Sequence, residues 1–77
     1  MLEKLVEHIV VNLVSKPDSV MISGIERDGK LVIQIRVAAE DVARVIGSEG
    51  RIFRALRAVV SLLGSQQHKD VVVDIAE

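Results

Sequence analysis

Eight consecutive residues, Val45-Ile46-Gly47-Ser48-Glu49-Gly50-Arg51-Ile52, hold the groups in this chain best suited to gripping an anion. Gly47 and Gly50 lack the Cβ atoms that would hold another chain at a distance, and they reach backbone angles closed to other residues. Apolar residues at helical spacing lie on both sides, so Gly47 to Gly50 reads as a four-residue connection between two helices. The amides that open the second helix have no intrahelical acceptor, and the helix dipole there favours negative charge. Arg51 stands at that helix start, where the dipole disfavours a cation. An external anion therefore explains Arg51 better than helix stability does. Arg54 follows one turn later, and Arg57 continues the row toward the helix flank. Two glycines so spaced also make an ordinary tight turn, so the reading rests on conjunction: V-I-G-x-x-G-R-I, amphipathic helices on both sides, and the elements around them.

The charge distribution points the same way. Net charge is −1, yet residues 44–58 carry Arg44, Arg51, Arg54 and Arg57 against Glu49 alone, while the segments on either side are each acidic on balance. The planar arginine fork matches phosphate oxygens well. A focused basic patch on a mildly acidic body implies a small anionic contact rather than an electrostatic coating. Phe53 is the single aromatic residue. That disfavours RRM and OB modules, which stack bases on exposed rings; a nucleic-acid reader built from this chain must hold bases against aliphatic side chains. With no cysteine there is no disulfide, thiolate metal site or thiol nucleophile, which suits a reducing cytoplasm. Nor do the sequence spacings offer a nucleophile with its base, a metal set or a nucleotide fingerprint, so an enzyme, a metal and a cofactor are not expected.

The elements that must position the loop follow from periodicity. Leu2, Leu5, Val6, Ile9 and Leu13, widened by Val10 and Val14, predict a helix that ends at Ser15-Lys16-Pro17-Asp18. Its interspersed Glu3, Lys4, Glu7, His8 and Asn12 exclude a membrane span, and a cytosolic protein is expected. From Val20 the period becomes two: Val20 and Ile22 share one face, Met21, Ser23 and Ile25 the other. Asp28-Gly29 supplies hairpin turn chemistry, and the return strand places Leu31, Ile33, Ile35 and Val37 on the core. Gly24 marks either a bulge or a close backbone approach. Glu40 and Asp41 suit the start of a short helix that carries Val42, Val45 and Ile46. A longer helix carries Ile52, Phe53, Leu56, Val59, Val60 and Leu63, with Gly64 as its expected terminator. Asp70 to Ile75 reads as a β-branched strand. The order α-β-β-α-α-β predicts an α+β domain spanning residues 1–77: a three-stranded mixed sheet with three helices on one face, the last strand parallel to the second after a two-helix crossover.

With these residues in place, the whole chain resembles the type II KH domain, and more closely the small bacterial single-KH proteins of the KhpA family. The resemblance rests on the leading helix, Val45-Ile46-Gly47, Gly50-Arg51-Ile52, the basic and apolar run Arg51 to Arg57, and the closing strand. It implies a loop that clamps the backbone of single-stranded RNA over about four nucleotides, with bases in an aliphatic groove to which Ile46 and Ile52 are assigned. It also implies a post-transcriptional regulator or RNA chaperone that forms homodimers and partners a larger KH-containing protein of the KhpB or Jag type. The family usually carries a basic residue where this chain has Ser48. Ser48 and the loop amides are therefore assigned to phosphate contact, with Arg51 and Arg54 as the cations and Glu49 as an added negative charge. The alternative is a protein–protein module with a weakened loop, for which Phe53 and Val60, seven apart on one side of the long helix, suggest a patch. His8 is expected to be solvated, and His68 and Lys69 to form a surface loop bordering the groove.

Overall fold

The computed structural model describes residues 2–76, and its elements follow the expected order. They are α1 (Leu2–Val11), β1 (Met21–Arg27), β2 (Lys30–Arg36), α2 (Val42–Ile46), α3 (Arg51–Gln66) and β3 (Asp70–Ala76), with single 3-10 turns at Pro17–Ser19, Ala39–Asp41 and Ser48–Gly50. Asp28 and Gly29 both take positive φ, 54° and 78°. That is the type I′ turn whose twist matches a two-residue hairpin. It sets an unbroken antiparallel register from Met21 opposite Arg36 to Arg27 opposite Lys30. β3 lies parallel to β2, Lys30 opposite Asp70 through Arg36 opposite Ala76, giving the sheet order β1-β2-β3. This is the mixed sheet and α-β-β-α-α-β arrangement of the type II KH fold.

One face of the sheet carries the core. Leu31, Ile33 and Ile35 of β2 and Val71 and Val73 of β3 meet Leu2, Val6 and Val10 of α1, Val45 of α2, and Leu56 and Val60 of α3. The period-two and period-3.6 patterns thus bury most of the residues they nominate, Ile52 and Val59 of α3 being exposed. At Gly24 the continuous register rules out a bulge. The side chain of Glu3 on α1 lies over the residue, and a Cβ there would stand 2.9 Å from its carboxylate oxygen.

Three expectations are corrected by packing. α1 ends at Val11, short of Val14; Asn12 donates its side-chain amide to the His8 carbonyl at 2.7 Å and turns the chain. Gly64 does not end α3, which continues to Gln66. It is buried inside the helix, where a Cβ would lie 2.5 Å from Val71 Cγ2 and 3.1 Å from the Lys69 carbonyl. The turn is made instead by His68 at φ 57°. Asp41 makes no side-chain cap to its own helix. Its fully buried carboxylate accepts hydrogen bonds from Ser15 N (3.0 Å), Ser15 Oγ (2.8 Å) and Lys16 N (3.1 Å), pinning the α1–β1 connection to the start of α2.

The Gly64 contact yields a direct test. Overpacking a rigid contact costs about 1–3 kcal/mol, which exceeds the roughly 1 kcal/mol by which alanine outperforms glycine in a helix. From the middle of that range, Gly64→Ala should lower stability by a net of about 1 kcal/mol, read as a melting temperature roughly 5 °C lower by circular dichroism. A higher melting temperature would mean that β3 does not press on α3 as described.

Candidate nucleic-acid interface

The connection between α2 and α3 is held open by unusual backbone angles. Gly47 sits at φ 79°, ψ 176°, and Glu49 and Gly50 are consecutive left-handed residues at φ 57° and 73°. Gly47 is required twice over, because a Cβ on it would lie 2.7 Å from Ile52 Cγ1. The loop is braced from within. Gly47 N donates to the Ala43 carbonyl (2.9 Å), Gly50 N to the Gly47 carbonyl (3.2 Å), and Arg51 N to the Ser48 carbonyl. Arg54 reaches back from α3, donating Nη2 to the Glu49 carbonyl at 2.8 Å and Nε to the Gly50 carbonyl at 3.4 Å. Its guanidinium thus fixes the left-handed pair in place. Arg51 Nη2 lies 3.4 Å from Glu49 Oε2, both side chains exposed. Ser48 points to solvent at the tip, and Ile46 is half-buried at the end of α2.

Beyond the loop a groove of about 330 Å³ runs between α3 and β3, lined by Arg54, Arg57, Ala58, Ser61 and Val71 to Val73. The α3 residues fall at i, i+3, i+4 and i+7, one stripe of the helix. Two are cationic at the end nearest the loop, and two are small, leaving the floor shallow. Arg57 sets its guanidinium 5.9 Å from the centre of the Phe53 ring, within cation–π range. Among the described residues β3 pairs only with β2, so its outer edge offers unpaired main-chain groups beside the groove.

The opposite flank of α3 is different. Ile52, Ala55, Leu56 and Val59 face Ile9 and Leu13 of α1 across an almost wholly apolar depression of about 280 Å³. Ile52 was assigned to the base groove from sequence; the helix places it here, against Gly47, away from Arg54 and Arg57. Ile46 lines neither hollow. The patch read from Phe53 and Val60 is also displaced: Val60 is fully buried and Phe53 packs on the core, whereas Val59 and Leu62 are the exposed apolar residues of this helix beside Ile52.

The structure therefore brings Gly47, Ser48, Glu49, Gly50, Arg51 and Arg54 together, with Ile52 packed against Gly47 but outside the groove between α3 and β3. Ala58, Ser61 and Val72 are groove residues that the sequence does not single out, whereas Arg57 is read there as continuing the arginine row. The i, i+3, i+4, i+7 stripe from Arg54 was the signal available. Lys69 is engaged with Glu26 on β1 at 2.8 Å. That hydrogen bond raises the Lys69 pKa and lowers that of Glu26. Among the described residues no group of three metal-ligating side chains converges, and no helix is long and apolar enough to cross a membrane.

Comparison with known proteins gives the family. Residues 3–75 match the family model "KhpA/KhpB, KH domain". The chain is 40% identical over 76 residues to the RNA-binding protein KhpA of Listeria monocytogenes, covering 99% of this chain and 100% of that one. It is 36% identical over 74 residues to KhpA of Clostridium acetobutylicum, covering 96% and 99%. With KhpA of Streptomyces coelicolor it shares 37% identity over 75 residues, covering 97% and 95%. A crystal structure of Era from Aquifex aeolicus is similar in fold, with a TM-score of 0.61 at 18% identity over 97% of this chain and 30% of that one. A glycine-hinged loop between two helices, a basic-mouthed groove beside an edge strand and near full-length likeness to these relatives lead to one assignment: the chain belongs to the KhpA/KhpB KH-domain family.

Proposed function

We propose that this protein binds single-stranded RNA, with no chemistry performed on it, and acts in the cytoplasm as a post-transcriptional regulator or RNA chaperone. The observation that carries the reading is the continuity of the glycine loop with the groove whose mouth bears Arg54 and Arg57. Relatives named RNA-binding proteins support it. The Ser48 hydroxyl and the Ser48 and Glu49 amides receive a backbone phosphate, since the Gly47 and Gly50 amides already donate within the loop. Arg51 supplies charge, Arg54 holds the loop, and about four nucleotides lie along the groove. Bases rest on Ala58 and the valines of β3 and meet its open edge, which moves the base-contacting role from Ile46 and Ile52 to these residues.

The test is the double variant Ser48→Asp, Glu49→Asp. Aspartate tolerates the left-handed backbone at position 49 better than most residues do, so the fold should persist. We expect RNA affinity to fall at least about ten-fold, as a new carboxylate at position 48 meets the phosphate beside the one that position 49 keeps, with an unchanged circular-dichroism spectrum. Unaltered affinity for a short single-stranded RNA would remove the loop from the mechanism.

A second reading has its own observation. The depression between α1 and α3, with exposed Leu62 beside it, suits a homodimer or a larger KH-containing partner of the KhpB or Jag type, and the KhpA/KhpB name of the matched family is in keeping with that pairing. The two readings use opposite flanks of α3 and are compatible.

A further inference from the structure

Glu49 occupies a backbone position that suits it poorly. Its φ of 57° is left-handed, a conformation that glycine and asparagine adopt far more readily than a long acidic side chain. Its carbonyl is held by Arg54, but its carboxylate contributes nothing to that brace. What the carboxylate touches is the guanidinium of Arg51, at 3.4 Å, with both groups open to solvent. Arg54 is committed to the loop carbonyls, and Arg57 stands two turns up α3, at the groove. At the tip itself, Arg51 is therefore the cation on which a phosphate would draw.

We infer that Glu49 is a tethered competitor: its carboxylate occupies Arg51 in the free protein and must be displaced by an RNA phosphate. This rests on the RNA-binding reading above and names how that site is regulated. The geometry is that of an internal phosphate substitute, an anion two residues from its cation and so at a high effective concentration. An exposed ion pair of this kind withholds its partner by up to about five-fold. A phosphate that displaces Glu49 leaves the carboxylate uncompensated, so the net neutralisation of RNA charge is smaller by about one contact. The backbone grip is thereby weakened equally for every sequence, and a larger share of the binding falls to the base contacts in the groove, where sequences differ.

The experiment measures fluorescence anisotropy of a labelled eight-nucleotide single-stranded RNA across a potassium chloride series. The proteins are the wild type, Glu49→Gln, Arg51→Gln and the double variant, with melting curves taken in parallel. We expect Glu49→Gln to tighten binding by up to about five-fold and to steepen the salt dependence by roughly 0.7 in log–log slope, and the same substitution to gain nothing once Arg51 is glutamine. A gain that persists without Arg51 would overturn the competition, because the carboxylate would then be acting by general repulsion. Unchanged or weaker binding by Glu49→Gln, with the wild type still binding, would overturn this inference alone. Absence of binding by every protein in the set, each folded, would overturn the RNA-binding reading itself.

Discussion

Asp41→Ala should lower the melting temperature by roughly 15 °C at neutral pH, the largest stability loss we expect from one polar substitution. The carboxylate is buried and accepts from two backbone amides and one hydroxyl of a segment some twenty-five residues earlier in the chain, with Arg44 Nε 3.4 Å away. Its removal leaves the Ser15 and Lys16 donors without their acceptor and frees the α1–β1 connection from α2. The pH dependence has a definite sign. Hydrogen bonds from Ser15, then that from Lys16 and the charge of Arg44, hold the Asp41 pKa below its ordinary 3.8 against the opposing effect of burial. A carboxyl whose pKa is lower folded than unfolded stabilises the fold fully above the unfolded value, and loses that contribution as pH falls through the folded one. The gap in melting temperature between wild type and Asp41→Ala should therefore be constant from neutral pH down to about 5 and shrink below 4. A gap that stayed constant through pH 3 would show that the carboxylate is not held as a charged acceptor.

Gly47→Ala should remove about 3 kcal/mol of stability and, in whatever fraction remains folded, reduce RNA affinity more than ten-fold. Two costs add at this position. The φ of 79° is unfavourable for any residue with a Cβ, by about 1–2 kcal/mol. The new atom would also meet Ile52 Cγ1 at 2.7 Å and its Cβ at 2.9 Å, a steric conflict worth a further 1–3 kcal/mol or so. Truncating Ile52 does not restore the space, because its Cβ is itself one of the obstructing atoms. Gly50→Ala is the control. It has a comparable φ of 73°, but its nearest neighbour would be Arg54 Nε at 4.0 Å, so only the conformational cost of about 1–2 kcal/mol applies. Urea denaturation of the two variants measures the difference directly. Equal losses would mean that Ile52 does not pack under the loop.

The fold was legible in the sequence because each strand and helix carries its burial pattern locally: Leu31, Ile33 and Ile35 announce a buried strand face without reference to anything distant. The loop was legible because glycine spacing and flanking periodicity are also local. What escaped was long-range. Asp41 next to Glu40 looks like first-turn chemistry, and nothing near it in sequence names Ser15 as its partner. Gly64 follows an apolar run and so resembles a terminator; only the arrival of β3 against it shows why the residue must be small. Ile52 is apolar and adjacent to the loop, and the family resemblance implies an aliphatic groove to which it is assigned. Its direction depends on the phase of α3, which starts at Arg51, and one residue of rotation separates the groove stripe from the apolar flank. The same phase count, begun at Arg54, gives Arg57, Ala58 and Ser61.

The parallel pairing of β3 with β2 has a consequence for the order of assembly. The Asp28-Gly29 hairpin closes over two residues and belongs to events of about 1–10 μs, whereas Lys30 meets Asp70 only after both inner helices have been laid down between them. Closing that long crossover carries an entropic cost that short-range contacts do not. One wall of the groove is β3 itself, so the groove beside the glycine loop is incomplete until that strand docks. On this order the groove is the last part of the candidate interface to take shape, acquired in a single late docking step.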